Sequence, residues 1–284
     1  MKKLAENSRL LFSIIGNDNI SVATLKTLSN YVTKLIAYIF NLIVETEART
    51  EVFPDSLKIA IITPIFKSGD SHLCINYRPI ALLSNLSKIF EKLVKVRIVR
   101  YLEKYNILAK RQYGFRESCN TSMAIDYLTE NIYETLDTFT SMAVTFLDLQ
   151  KAFEMLENVI GIRRKTENII KSYLGNRKQV VKKDDCYSSE CNVEIGVPQG
   201  SVLGPILFLI YINELLYLFE NDIISFADDT TVICRGKNWI EVERDANQKM
   251  GKIYDWLNMD KLILNIEKTE YTTFSINKST QPKE

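Results

Sequence analysis

The chain has a single histidine, His72, in 284 residues. That argues against a zinc site built from His and Cys, and against a mechanism leaning on several histidines. The five cysteines (Cys74, Cys119, Cys186, Cys191 and Cys234) are scattered, odd in number and without a Cys-x-x-Cys pair. Such usage fits a reduced, intracellular protein with no disulfide framework, in nucleus or cytoplasm alike. Long hydrophobic runs are missing too. The stretches around 31–44 and 206–219 are too short to span a membrane and carry Lys34 and Glu214. The opening MKKLAENSRLLFSIIG has a faint signal-peptide outline, but Glu6 and Arg9 precede its apolar run and no small-residue cleavage site follows. Neither sign of charge dominates: the net charge is +1, so bulk charge points to no partner. Internal repeats, low-complexity tracts and obvious linkers are absent.

What is present describes a globular chain. Hydrophobic residues make up 46% and charged residues 25%, which argues against disorder. Charge is concentrated locally. Between Lys88 and Arg116 nine Lys/Arg face two Glu, and between Arg163 and Lys183 eight face one. Both segments have the character of phosphate-facing surfaces. The ordinary alternative for the first is a solvated helix face, with Ile89, Leu93, Val96, Val99 and Leu102 as its apolar stripe.

Hydrophobic periodicity predicts helices over 20–46, 84–105, 121–136, 163–174 and 239–257, and an apolar helix at ILFLIYINELLYLF. Strands are predicted over 57–66, at SMAVTFLDL and at TEYTTFSI. EIGVPQGSVLGP reads as a Gly/Pro loop. Helices mixed with hairpin signals indicate an α+β fold.

Two features carry chemistry. In IISFADDTTVIC, two apolar strands flank adjacent aspartates, Asp228 and Asp229. Like charges at a turn repel by roughly a few kcal/mol unless a cation relieves them. A solvated Asp-Asp turn is the plain alternative. Asp148, however, follows the apolar strand AVTFL in a similar setting. Carboxylates at the ends of neighbouring buried strands suit hard divalent cations, so Asp148 and Asp228 are expected on adjacent strands.

Six stretches in order resemble the reverse transcriptases of non-LTR (LINE-type, jockey-like) retrotransposons. They are SLKIAIITPIFKSGDSHLCINYRPIALLSNLSKIFEKLV, RQYGFRESCNT, FLDLQKAFE, GVPQGSVLGPILFLIYINEL, FADDT and WLNMDKLILNIEKTEYTTF. The helical lead from Gly16 is also similar. The resemblance implies a right-hand polymerase fold with an antiparallel palm sheet and helices on one face. It divides the chain into a helical lead over 1–50, fingers over 51–138 and palm over 139–284. It implies RNA-directed DNA synthesis from an RNA template, a DNA primer and dNTPs, with two Mg²⁺ ions (Mn²⁺ as the alternative).

By the same resemblance, Asp148 and Asp228 would ligate the metals, Asp229 would support them and the Leu149 carbonyl would assist. Phe153 would exclude a ribose 2′-hydroxyl, its alternative being a plain core aromatic. Lys67 and Arg78 would meet the triphosphate, or else belong to a solvated hairpin. Gly196, Gly200 and Gly204 would let backbone approach a nucleotide, Gln199 would reach base or sugar, and Pro205 suits the first turn of the next helix. Lys268 would donate a proton to pyrophosphate, or else form a surface ion pair.

The chain departs from the family at Glu154, usually Asp. It also has roughly two fewer helical turns after Phe153, at about 1.5 Å per residue. No stretch resembles a thumb or an endonuclease, so the expectation is a fragment of fingers and palm. The alternative function is a catalytically impaired remnant that only binds nucleic acid.

Overall fold

The computed structural model describes residues 16–45, 53–150, 164–193, 196–260 and 262–276. The first half of the chain contributes α1 (Val22–Thr27), α2 (Ser29–Glu45), β1 (Ile59–Phe66), β2 (Tyr77–Leu82), α3 (Asn85–Lys104) and α4 (Thr121–Asp137). Next come β3 (Ser141–Leu147), β4 (Leu149–Gln150), α5 (Arg164–Leu174), β5 (Arg177–Lys183), β6 (Cys186–Tyr187) and β7 (Cys191–Val193). The last part holds α6 (Gly204–Leu218), β8 (Ile223–Phe226), β9 (Asp229–Gly236), α7 (Trp239–Met259), β10 (Ile263–Leu264) and β11 (Glu270–Ser275). The α+β class is as expected. Two compact units emerge, one drawn from Met1–Arg100 with Leu156–Gly204, the other from Tyr101–Met155 with Pro205–Glu284.

In the first unit the sheet order is β2-β1-β5-β6, with β7 also on β5. β1 and β2 form an antiparallel hairpin, whereas β1 and β5 run parallel from Ile59 opposite Lys178. Alternation buries Ala60 and Ile62 of β1 with Ala81 and Leu83. A second cluster is aromatic: Phe40, Phe53, Phe90 and Tyr173 stack edge-on or tilted, with centroids 5.1–5.4 Å apart. Each such pair contributes about 0.5–1.5 kcal/mol beyond its buried area.

Two expectations are corrected here. The single helix over 20–46 is broken at Leu28, where the Ser29 hydroxyl takes the Lys26 carbonyl at 2.8 Å. A serine competing for a helical carbonyl weakens the helix locally. On α3 the buried face runs through Ser87, Phe90, Glu91, Ile98 and Leu102, while Leu93 and Val96 are about half exposed, at 51% and 47%. The apolar stripe overlaps this face at Leu102 but misses most of it, because the inner face includes two polar residues.

In the second unit four antiparallel strands follow the order β11-β3-β9-β8. β3 is paired at both edges, and Met142 and Val144 on one face are fully enclosed, with Ala143 on the other nearly so. Met142, Val144, Ile224, Ile233 and Tyr113 form the core beneath Ala124, Leu128 and Ile132 of α4. Asn120 and Asn238 cap α4 and α7, each side chain accepting from a backbone N–H three residues on, at 3.0 Å. The short β4 pairs with β10, Leu149 opposite Leu264.

Candidate active site

The β8–β9 hairpin closes between Phe226 and Asp229, leaving Ala227 and Asp228 as a two-residue turn. Ala227 has φ +62° and Asp228 does not share the positive sign, the pattern of a type II′ turn suited to twisted strands. Asp228 thus sits at the tip and Asp229 opens β9. On the other side of β9, Thr230 lies opposite Leu147 of β3, so Asp148 leaves β3 at the same end. The expectation that the strands of Asp148 and Asp228 are neighbours holds.

The Asp229 carboxyl is pushed above the usual carboxylate range by partial burial, then by the negative charges of Asp228 and Asp148. The Asp148 carboxylate is held by Asn265, whose Nδ2 donates to Oδ2 at 2.8 Å, while the Asn265 backbone N–H takes the Asp148 carbonyl at 2.8 Å. The β4–β10 pairing brings this about, since Asn265 directly follows Leu264. Lys268, at the end of the 3₁₀ turn Ile266–Lys268, places Nζ 3.9 Å from Asp148 Oδ2.

Among the described residues no group of three or more His, Cys, Asp or Glu side chains is placed so that it could hold a metal ion. Carboxylates that repel one another nonetheless suit a hard divalent cation of the kind that keeps several waters and is bound through one or two carboxylates plus substrate phosphates.

Sequence reasoning missed the support beneath the hairpin. Segment 111–114 runs along β8: Ser225 N–H donates to the Arg111 carbonyl at 2.9 Å and Tyr113 N–H to the Ser225 carbonyl at 2.8 Å. Gln112 is fully buried, and its side chain bonds the turn itself. At Gly114 a Cβ would stand 2.1 Å from the Ala227 nitrogen, so only glycine permits this approach. The motif RQYGF carried the signal, but its partner lies more than a hundred residues away.

The first unit carries Lys67, Arg78, Gln199 and Gly200. Arg78 is opposite Ile65, and Lys67 N–H continues the ladder to the Asn76 carbonyl at 2.8 Å. Two-residue periodicity therefore puts the exposed Lys67 and Arg78 on one face of the hairpin. Gln199 and Gly200 occupy a turn closed by Ser201 N–H to the Pro198 carbonyl at 2.9 Å, and φ of +114° at Gly200 is the type II signature. The Gln199 carbonyl accepts from Ala81 N–H at 2.9 Å, docking the loop on β2.

Glu91, also missed, anchors the same loop. It is fully buried and accepts from Val202 N–H at 2.6 Å, Leu203 N–H at 3.3 Å and the Ser87 hydroxyl at 3.0 Å. Burial pushes its pKa up, against the pull of these donors and the Arg177 charge. Phe153, Glu154 and the shortened helix lie outside the described residues.

The profile of the family described as reverse transcriptase (RNA-dependent DNA polymerase) matches residues 65–283. The chain belongs to the reverse transcriptase family. All the candidate residues of this reverse transcriptase chain fall inside the matched range. It is 32% identical over 281 residues to the probable RNA-directed DNA polymerase from transposon X-element of Drosophila melanogaster, covering 94% of the chain and 30% of that relative. To the RNA-directed DNA polymerase from mobile element jockey of the same organism it is 27% identical over 277 residues, covering 92% and 30%. The chain thus spans about 30% of the length of these relatives. Among solved structures, apo telomerase from Candida tropicalis, truncated from its C-terminal domain, superposes with a TM-score of 0.52 at 19% identity, covering 87% of the chain and 56% of telomerase. That likeness supports the polymerase fold. Reverse transcriptases in general work with divalent cations on nucleic acid and nucleotides. Among the described residues no helix is long and apolar enough to cross a membrane.

Proposed function

We propose that the chain carries RNA-directed DNA polymerase activity, joining a dNTP to a DNA primer on an RNA template. The observation that carries the reading is the gathering of Asp148, Asp228 and Asp229 at one end of the hydrogen-bonded strands β3 and β9. In the reaction the primer 3′-oxygen forms a bond to the α-phosphorus as the bond from that phosphorus to pyrophosphate breaks.

Asp148 and Asp228 would hold the cations, Mg²⁺ in the first instance and Mn²⁺ as the alternative, with Asp229 and the Leu149 carbonyl in support. When bound, the pair supplies Lewis-acid polarisation of the phosphate and acidifies the attacking hydroxyl. Asn265 keeps the Asp148 carboxylate in one orientation. Lys268 carries a proton toward the leaving pyrophosphate, a role its exposed ammonium at 3.9 Å from Asp148 permits.

In the first unit, Lys67 offers a point charge and Arg78 a fork for triphosphate oxygens. The Gln199–Gly200 turn offers backbone and amide to the nucleotide, and Phe153 is assigned to sugar selection. Fingers over 51–138 and palm over 139–284 remain our assignment. The five free cysteines support an intracellular location.

Primer extension by the purified chain on a homopolymer RNA template, with and without Mg²⁺, tests the reading. Extension that needs Mg²⁺ supports it. Nucleic-acid binding with no extension at any Mg²⁺ or Mn²⁺ concentration contradicts it.

A further inference from the structure

We infer that Gln112 is a positioning residue for Asp228, acting through Ser225 and the Ala227 peptide; the inference rests on the polymerase reading of the hairpin. Gln112 Oε1 accepts from Gly114 N–H at 2.8 Å and Ala227 N–H at 3.2 Å. Its Nε2 donates to Ser225 Oγ at 3.0 Å, and that hydroxyl donates to the Ala227 carbonyl at 3.0 Å. One amide and one hydroxyl thus grip both the N–H and the C=O of the single turn residue with left-handed φ.

The grip has a purpose that packing alone would not require. A non-glycine residue at positive φ relaxes toward other turn types unless its surroundings hold it. The Ala227 carbonyl belongs to the peptide whose nitrogen is that of Asp228. Rotation of this peptide redirects the Asp228 side chain. Asp228 and Asp229 also repel each other, which favours such a rotation when no cation is bound.

The chemistry of the network suits an amide. Ser225 has one hydroxyl proton and gives it to Ala227, so its oxygen must receive a donor. Two backbone N–H groups on the other side need an acceptor. The Gln112 amide supplies both from one planar group, its oxygen to the two N–H groups and its NH₂ to Ser225. Gln112 and Ser225 are fully buried, so water does not substitute.

The test uses Mn²⁺ binding by the purified chain, followed by electron paramagnetic resonance far below the melting temperature, beside thermal melting and primer extension. Gln112→Met keeps length and removes the bonds. Ser225→Ala is the milder change and leaves both Gln112 acceptor bonds in place. Ile253→Val, in a buried position on α7, supplies a destabilised control.

Residues that orient metal ligands typically cost 10–100-fold in affinity when lost. We expect Mn²⁺ affinity to fall about tenfold in Gln112→Met and several-fold in Ser225→Ala, with the double variant no worse than Gln112→Met. Ile253→Val should melt lower at unchanged affinity. Melting shifts with Mn²⁺ affinity within twofold of the parent in both hairpin variants would overturn the inference. Failure of the polymerase reading would show in the parent, as Mn²⁺ binding indifferent to Asp228→Asn, and that outcome would overturn both.

Discussion

Asn265 holds Asp148 at two points, its side-chain amide on the carboxylate and its backbone N–H on the carbonyl, both at 2.8 Å. The second bond continues the β4–β10 pairing; the first fixes which way the carboxylate faces. A carboxylate oriented in this manner would need little reorganisation in the proposed role of cation ligand.

Asn265→Ala removes the orienting amide and leaves the backbone bond. We expect the incorporation rate to drop roughly 10–100-fold while the melting temperature moves by only a few degrees. Asn265→Asp should be worse, because it adds a negative charge beside carboxylates already under repulsion. Single-nucleotide incorporation by rapid quench, with melting in parallel, checks both.

Lys268 separates two readings. Its side chain is 72% exposed, so as a surface ion pair it contributes about 0–1 kcal/mol. Lys268→Met should therefore leave stability nearly unchanged. As a proton donor its loss should slow incorporation by roughly 10²–10⁴-fold. An unchanged single-turnover rate would reduce Lys268 to the ion pair.

Glu91 predicts a pH signature. Its pKa is raised above 4.5 in the folded chain, chiefly by burial. Between the two values the folded state binds more protons than the unfolded state, so this group's stability contribution is fully present below 4.5 and lost as pH rises through the folded value. Glu91→Gln keeps an acceptor for Val202 and Leu203 and removes the titration. Its stability relative to the parent should rise with pH across that window in denaturant melts; a constant difference would contradict this. Glu91→Leu leaves two backbone N–H groups without their acceptor and the buried Arg177 without the charge of this carboxylate, and should cost about 3–5 kcal/mol.

Gly114→Ala would place a methyl against the Ala227 backbone, with neighbours at 2.1 and 2.8 Å. Backbone cannot yield as a side-chain tip can, so overpacking should cost about 1–3 kcal/mol or more. Because the displaced atom belongs to the turn, Mn²⁺ affinity should fall along with melting temperature. A variant that melts and binds Mn²⁺ like the parent would show that the close approach has no consequence.

The parts of this architecture that were legible in the sequence are local. Apolar runs on either side of Asp228, and ahead of Asp148, identify buried strands whose ends meet. What stayed hidden is long-range or mixed in polarity. Gln112 meets Ser225 across 113 residues and Asn265 meets Asp148 across 117, so neither polar side chain stands out by spacing. β5, RKQVVKK, reads as a basic run because its sheet position depends on pairing with β1, not on a clear alternation. The inner face of α3 was legible only in part, at Leu102, because Ser87 and Glu91 are buried to anchor other groups.

The central claim, that Asp148 and Asp228 form a divalent-cation site for nucleotidyl transfer, is tested most directly by single-nucleotide incorporation on an annealed RNA template and DNA primer, comparing the parent with Asp148→Asn and Asp228→Asn over a Mg²⁺ titration. The account predicts Mg²⁺-dependent incorporation by the parent and loss of at least about 10³-fold in each variant, the scale of removing an essential electrostatic group. Incorporation that survives either substitution at a parent-like rate would contradict it.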